Sequence, residues 1–255
     1  MSSFLRKTMS EMIIVGGGQA GYSVAAKLRD MGFEGSIEII CREESIPYQR
    51  PPLSKKFLMG EIPKTRLFIR PENFYREKNI NLRLGVTVTK IDRNASEVLC
   101  SDGSRLFYKK LFLVTGSKPN IFPEKFGGKF KGAYYIRSLV DIDAVVHEFE
   151  PKRHLLVIGG GYIGLEIAAV ARKRNLHVTL VEAEDRILKR VASVQTANFF
   201  RDLHKNNGVE IIEGKSIRKL LGDKNTFSGA VLNDDTKISA DFAVIGIGVK
   251  PCSML

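Results

Sequence analysis

Residues 12–21 read MIIVGGGQAG, a short apolar run followed by a glycine-rich turn. Residues 155–164 read LLVIGGGYIG and repeat this pattern. Each apolar run predicts a buried parallel strand, and the residues after each turn, 24–28 and 165–171, read as helix. One G-x-G-x-x-G pattern is a weak indicator of dinucleotide binding, but two in a strand–turn–helix context are improbable by chance. The pair predicts two units that hold two dinucleotides at once.

Three glycines in each turn have separate tasks. The first permits the tight turn, the second lets the backbone approach a pyrophosphate, and the third lets helix and strand pack closely. The phosphates then bind backbone amides at the positive end of the helix. These glycines are Gly16, Gly18 and Gly21 in the first turn and Gly159, Gly161 and Gly164 in the second.

Acidic residues follow the next predicted strand of each unit. Residues 36–41 lead to Glu43 and Glu44, and residues 177–182 end at Glu182. A carboxylate about 20 residues beyond such a turn accepts hydrogen bonds from the ribose hydroxyls. Because Glu182 would repel a 2′-phosphate, we expect the second unit to prefer a dinucleotide whose adenosine ribose carries no such phosphate.

Composition is that of an ordinary globular protein. The chain has 255 residues, 44% hydrophobic and 27% charged, enough for one large or two ordinary cores. No apolar run approaches the ~18 residues needed to cross a bilayer. Residues 1–11 are too polar for a secretory signal and are expected to form a disordered tail, with Met9 as an alternative translation start. Cys41, Cys100 and Cys252 are far apart and show no metal-ligand spacing, which favours free thiols in a reducing cytoplasm.

The formal net charge is +12, with lysine and arginine spread along the whole chain. There is no tryptophan, and no basic run is interleaved with stacking aromatic residues, so the sequence argues against nucleic-acid binding. Most of the charges are expected to be solvated. The alternative is that a basic surface steers an acidic protein partner.

Residues 46–55 read IPYQRPPLSK and separate the two units. The adjacent prolines predict an extended turn with no helix before Leu53 or Ser54, and Ser54 is expected to cap a helix over residues 55–59. Physical reasoning alone gives Arg50 and Lys55 no role beyond solvated charges on a surface loop.

The whole chain resembles the FAD-dependent, NADH-using ferredoxin reductases that supply electrons to bacterial oxygenases, within the wider pyridine nucleotide-disulfide oxidoreductases. Apoptosis-inducing factor is similar to the same group. The resemblance rests on VGGGQAG at 15–21, PYQRPPLSK at 47–55, LVTGSKP at 113–119 and IGGGYIGLE at 158–166, with residues 241–251 similar to the strand and turn that close the nicotinamide domain. PYQRPPLSK is the most discriminating run.

This resemblance implies an α/β fold with two Rossmann-like domains, the NAD-binding domain inserted in the FAD-binding domain. The expected boundaries are a tail at 1–11, an incomplete FAD-binding domain at 12–120, an NAD-binding domain at 121–251 and the start of a returning FAD segment at 252–255. The family continues into that returning segment and an interface domain. We therefore expect the chain to be C-terminally truncated.

The resemblance also implies site residues. For FAD they are Gly16, Gly18, Gln19, Ala20 and Gly21 in the turn, Glu43 at the ribose, Arg50 and Lys55 facing the flavin and phosphates, the Val88 backbone at the adenine, and Thr115 and Gly116 in the crossing segment. For NAD they are Gly159, Gly161, Tyr162, Ile163, Gly164, Glu182 and Gly248. Glu44 is the less favoured alternative to Glu43 because of its register. Val114 and Asn120 depart from the alanine and arginine usual in the family.

Lys55 and Glu166 are expected to be the catalytic pair. In the wider flavoprotein group such a lysine and glutamate pair beside the flavin where hydride arrives. A buried ammonium would favour the anionic reduced ring, and the glutamate would compensate its charge.

In the same superfamily, disulfide reductases carry a redox cysteine pair beside the flavin, and peroxidase-like members carry a single cysteine in the loop that corresponds to residues 47–59. That loop contains no cysteine here, and Cys41 precedes it, so thiol chemistry is disfavoured. The favoured function is electron transfer from NADH through FAD to an acidic iron–sulfur protein. The alternatives are a truncated nucleotide-binding fragment with little turnover, or another FAD/NADH oxidoreductase of the superfamily.

The histidines have no partner at catalytic spacing and are expected to be surface or packing residues. In the second domain, Ser138 or Asp141 and Ser193 are predicted helix caps, and Gly208 a helix end.

Overall fold

The computed structural model describes residues 8–253 and 255, which form two compact units. The first unit comprises the described residues up to Gln49, Pro63–Ser117 and the residues from Pro251 onward. The second unit comprises Arg50–Ile62 and Lys118–Lys250. Residues 50–55 of the PYQRPPLSK run thus belong to the second unit. The boundaries expected from the sequence instead include them in the FAD-binding domain at 12–120.

The first unit is built on one six-stranded sheet. Its elements are β1 (Thr8–Val15), α1 (Gln19–Asp30), β2 (Ile37–Ile40), α2 (Glu72–Glu77), β3 (Ile80–Arg83), β4 (Val88–Asp92), β5 (Glu97–Cys100) and β6 (Arg105–Leu113), with a 3₁₀ turn at Lys64–Arg66. The strand order is β3-β2-β1-β6-β5-β4. Strands β3, β2, β1 and β6 are parallel, and β6, β5 and β4 are antiparallel.

Strand β1 begins at Thr8 rather than at Met12, so part of the expected tail belongs to the sheet. Its first residues pair with β6, starting with Thr8 opposite Leu106. The Ser10 hydroxyl donates to the buried Glu38 carboxylate at 2.8 Å. Polar sequence can extend a strand when the neighbouring strands supply partners, which local patterning does not show. Residues 1–7 of the expected tail lie outside the described residues.

The second unit contains a five-stranded parallel sheet in the order β11-β10-β9-β15-β8. Its elements are β7 (Ser117–Pro119), β8 (Ala133–Tyr134), α3 (Leu139–Val145), β9 (His154–Ile158), α4 (Tyr162–Lys173), β10 (His177–Glu182), α5 (Val194–Asn206), β11 (Val209–Glu213), β12 (Ile217–Asp223), β13 (Thr226–Leu232), β14 (Lys237–Ser239), β15 (Phe242–Ile245) and β16 (Val249–Pro251), with 3₁₀ turns at Pro51–Ser54, Glu124–Phe126 and Val146–Glu148. Strands β12–β14 form an antiparallel sheet, and β7 pairs with β16.

The local signals in the second unit predict its elements well. Strand β9 is buried from Leu155 to Ile158, as expected for a parallel strand covered on both faces. The Ser193 hydroxyl accepts the Thr196 amide at 3.2 Å and caps α5. Gly208, with φ +81°, follows the end of that helix. Both of these predictions are confirmed.

The prediction for residues 51–59 is wrong. Both prolines lie inside the 3₁₀ helix Pro51–Ser54, and turns follow it rather than an α-helix. Proline suits the first positions of a helix because its φ is already correct there and its missing amide needs no partner. Ser54 caps no helix, since its hydroxyl donates to Glu166. In the described part of the chain, no helix has the length and apolar character that a membrane span requires.

Candidate functional site

The two glycine turns have the same geometry. A Cβ on Gly21 would lie 2.0 Å from the Gly16 carbonyl oxygen, and one on Gly164 would lie 2.0 Å from that of Gly159. Both contacts are with backbone, which cannot move aside. Close packing of helix on strand therefore requires glycine at these positions in each unit.

Gly18 and Gly161 are different, because a Cβ added to either would meet no protein atom within 4 Å. Each is the N-cap of its helix, α1 or α4, and neither has a side-chain cap. The packing of the described chain thus gives no reason for glycine at these positions. A pyrophosphate approaching the backbone at the helix N-terminus supplies one, so the residues present fit a dinucleotide in each unit. Gln19, Ala20 and Tyr162 are exposed in the first helical turns, and Ile163 is half-buried.

Glu182 is fixed at the end of β10 beside the second turn. Its Oε2 accepts the Gly160 amide at 2.6 Å, and its Oε1 accepts the Glu184 amide at 2.8 Å. The carboxylate therefore lies beside the glycine turn, where the sequence predicts a ribose contact. Whether it binds ribose stays a prediction.

A second acid, which sequence reasoning missed, holds the loop after β10. Glu213 accepts the Ile187 amide at 2.8 Å and pairs with Arg201 at 2.7 Å. The Leu188 amide donates to the Gly160 carbonyl at 3.0 Å. These contacts clamp the loop against the glycine turn. Only the position of Glu213 at a strand end could have indicated them.

Two cations of this loop, Lys189 and Arg190, are paired by its own carboxylates, whereas Arg186 donates to the Ala192 and Lys189 carbonyls. Lys189 contacts Glu184 at 3.1 Å and Asp185 at 3.3 Å, and Arg190 contacts Glu184 at 3.5 Å. Hydrogen bonding to Lys189 lowers the pKa of Glu184, and the same contact raises the pKa of Lys189. These pairs reduce the positive charge available to a 2′-phosphate.

Cys41 takes the place in the first unit that Glu182 takes in the second. Val15 is in register with Ile40, and Ile158 is in register with Val181, so the next residues correspond. Burial, with a smaller contribution from Glu43, raises the pKa of the Cys41 thiol to about 12. A thiol of that kind stays protonated and is a poor nucleophile, in line with the expectation against thiol chemistry.

Glu43, the expected ribose ligand of FAD, is held by Tyr48. The Tyr48 hydroxyl donates to Glu43 Oε2 at 2.5 Å, and the Glu43 backbone carbonyl accepts the Gly85 amide at 3.1 Å. Tyr48 is a positioning group that sequence reasoning missed, although it lies in the most discriminating run. The alternative acid, Glu44, is exposed.

The remaining first-unit candidates lie at strand ends. Val88 begins β4 with a buried side chain, in register with Cys100. The Thr115 hydroxyl donates to the Cys252 carbonyl at 2.6 Å, and the Gly116 carbonyl accepts the Cys252 amide at 2.9 Å. Thr115 and Gly116 therefore hold the returning chain. Their contact with a cofactor stays a prediction.

Asn120, one of the two departures from the family pattern, stabilises the turn at Gly248. Its amide donates to the Gly248 carbonyl at 3.0 Å, and its side-chain Nδ2 donates to the Ile247 carbonyl at 3.2 Å. Gly248 has φ +95°. Asn120 thus supports this turn by donating two hydrogen bonds to backbone carbonyls.

Lys55 and Glu166 are brought together within the second unit. Lys55 Nζ lies 2.7 Å from Glu166 Oε1, and the Ser54 hydroxyl donates to Glu166 Oε2 at 2.5 Å. Arg50 donates to the Arg137 carbonyl at 2.8 Å. Lys55 is the C-cap of the 3₁₀ helix, and its side chain is 48% exposed rather than buried. Sequence reasoning missed Ser54 as part of this cluster.

A model of the pyridine nucleotide-disulphide oxidoreductase family matches residues 10–255. The chain belongs to that family. Putidaredoxin reductase of Pseudomonas putida is 38% identical over 244 residues, which is 94% of this chain and 58% of the relative. Rubredoxin-NAD(+) reductase of Pseudomonas putida is 35% identical over 240 residues, 94% of this chain and 62% of the relative.

Solved structures agree with these relatives. The reductase in a covalent putidaredoxin reductase–putidaredoxin complex superposes with a TM-score of 0.91 at 37% identity, over 95% of this chain and 59% of that one. The ferredoxin reductase of the CYP199A2 system from Rhodopseudomonas palustris gives a TM-score of 0.91 at 33% identity, over 95% and 60%. The chain therefore spans about 60% of the length of these relatives. The predicted resemblance, the α/β fold class and the cofactors FAD and NAD are confirmed at the level of the family.

Proposed function

We propose that this protein passes electrons from NADH through FAD to an acidic iron–sulfur protein of the ferredoxin type. The observation that carries the proposal is the Lys55–Glu166 pair at 2.7 Å, just after the second glycine turn on α4. A charge pair beside a nucleotide turn suits the control of charge during hydride transfer.

FAD, when bound, accepts the hydride of NADH and releases the electron pair one electron at a time. The chain's own residues bind the two nucleotides and orient them. Amides around Gly18 and Gly161 would bind the two pyrophosphates, and Glu182 would accept ribose hydroxyls. Lys55 would stabilise negative charge on the reduced ring, and Glu166 would balance the ammonium.

The acceptor is proposed from charge and from the relatives. The chain carries a formal charge of +12, which favours encounter with an acidic partner. A similar protein has been solved joined to putidaredoxin, and others are named ferredoxin or rubredoxin reductases. An acidic iron–sulfur protein fits these observations. A cytoplasmic location remains a prediction from the unpaired cysteines.

One observation favours a second candidate, a nucleotide-binding chain with little turnover. Strand β6 pairs with β5 only through Arg105–Phe107, and within the described residues no strand lies beside Lys109–Leu113 on that side. The Leu113 side chain is 55% exposed. An open parallel edge would weaken the sheet that carries the first glycine turn.

Anaerobic titration separates the two candidates. The purified chain is saturated with FAD, NADH is added, and flavin absorbance is followed before and after addition of an acidic ferredoxin. Bleaching by NADH and recovery with ferredoxin support the proposal. FAD that binds but is not reduced by NADH would favour the second candidate.

A further inference from the structure

Ser54 has a contact that the proposed function does not use. It is 6% exposed, at the last position of the 3₁₀ helix, and its hydroxyl lies 2.5 Å from Glu166 Oε2. Serine hydroxyls usually bond nearby backbone. This one instead reaches a carboxylate on α4, which lies 112 residues further along the chain.

The two oxygens of Glu166 have different partners. Oε1 contacts Lys55, whose side chain is 48% exposed, and Oε2 accepts from the buried Ser54 hydroxyl. An exposed ion pair holds its geometry weakly, because solvent competes and a long side chain loses rotamer freedom. A hydrogen bond to a charged group from a buried donor is stronger and more directional. The buried contact is therefore the one that can fix the orientation of the carboxylate.

The backbone keeps Ser54 and Lys55 in a set relation. The Lys55 amide donates to the Pro52 carbonyl at 3.1 Å, and Leu53 is 2% exposed. Adjacent prolines reduce the freedom of the segment that carries both groups. Ser54 ends the 3₁₀ helix, and Lys55 follows it as the C-cap with non-helical φ −128° and ψ −114°. The buried hydroxyl and the half-exposed ammonium can thus reach one carboxylate from two sides.

We propose that Ser54 is a positioning residue, whose hydroxyl orients Glu166 so that Oε1 holds the Lys55 ammonium beside the second glycine turn. Its consequence for turnover rests on the proposed function. The orientation itself belongs to the second unit and can be tested without a cofactor.

The test compares Ser54→Thr with Ser54→Val, which are close in shape and differ in the hydroxyl. In the full chain, acylation of Lys55 by an amine reagent is measured by mass spectrometry, with the exposed neighbour Lys56 as internal reference. We expect Lys55 to react slowly in the wild type and in Ser54→Thr, and several-fold faster in Ser54→Val. An unchanged ratio of Lys55 to Lys56 labelling in Ser54→Val would overturn the proposal.

Two further variants exclude a general loss of structure. Ser54→Ala fits the same space and should label like Ser54→Val, with a cooperative thermal transition retained. In a Glu166→Gln background, Ser54→Val should add no further change, because the hydroxyl acts through that carboxylate. An equal increase in both backgrounds would show that Ser54 acts by another route and would contradict the inference.

With FAD and NADH present, Ser54→Val should slow flavin reduction while the NADH concentration at half-maximal rate stays constant. Ser54→Thr should restore the rate. If the wild-type chain shows no flavin reduction, the proposed function fails, while the labelling ratio still decides the role of Ser54.

Discussion

Glu182 Oε2 accepts the backbone amide of Gly160 at 2.6 Å, which ties the acid at the end of β10 to the middle of the second glycine turn. This contact orients the carboxylate without a side-chain partner. It also places a negative charge where the 2′ position of a bound adenosine ribose is expected.

Glu182→Gln should reduce the preference for NADH over NADPH. The amide keeps the shape of the side chain but removes the charge that repels a 2′-phosphate. The dissociation constant of NADPH divided by that of NADH should therefore fall by roughly tenfold. Calorimetric titration of both nucleotides measures this ratio. Glu150→Gln is the matched control, since this exposed acid precedes β9, at the opposite end of the strand from the glycine turn. Tighter binding of NADPH than NADH by the wild type would show that Glu182 has been assigned wrongly.

Lys55→Met should slow reduction of bound flavin by roughly tenfold or more, because charge stabilisation at the reacting ring is lost. Binding of both nucleotides should change little. Stopped-flow absorbance measures the rate, and Lys56→Met is the control because Lys56 is the exposed neighbour. An unchanged rate in Lys55→Met would show that Lys55 is only a solvated charge on the loop.

Gly164→Ala should unfold the second unit far more easily than Gly161→Ala. The new Cβ of the first would lie 2.0 Å from the Gly159 carbonyl oxygen, whereas that of the second would meet no protein atom within 4 Å. We expect Gly164→Ala to lower the free energy of unfolding by about 2–3 kcal/mol, within the range for overpacking, and Gly161→Ala to leave it nearly constant. Urea denaturation gives both values. Similar losses in the two variants would contradict the geometry of the turn.

Stability of the second unit should fall as the pH drops below about 6.5, the ordinary pKa of histidine. Burial lowers the pKa of His204 in the folded state, and burial together with His177 lowers that of His154, against opposing contributions from Asp241 and Glu210. The unfolded chain then binds protons more readily, so acid favours unfolding until the folded pKa values are reached. His204→Leu should flatten this dependence in urea denaturation at pH 5.5 and 7.5. Parallel curves for wild type and variant would exclude His204 as a source.

Sequence predicts the parts of the site that depend on nearby residues. Gly161 lies at the start of α4 and Glu182 at the end of β10, as short-range patterning predicts. The partners of Glu166 and Gly248 could not be predicted in the same way. Ser54 reaches Glu166 across 112 residues, and Asn120 reaches the turn at Gly248 across a similar distance along the chain. Such contacts arise only when the second unit has folded.

We propose that the chain holds two different dinucleotides, FAD at the first turn and NADH at the second. Titration of FAD and NADH into Gly18→Ala and Gly161→Ala tests it most directly, since neither Cβ meets protein atoms. We predict that Gly18→Ala weakens FAD binding and leaves NADH binding intact, and that Gly161→Ala does the reverse. Loss of both nucleotides in one variant, or of neither in both, would show that the two turns do not bind FAD and NADH separately.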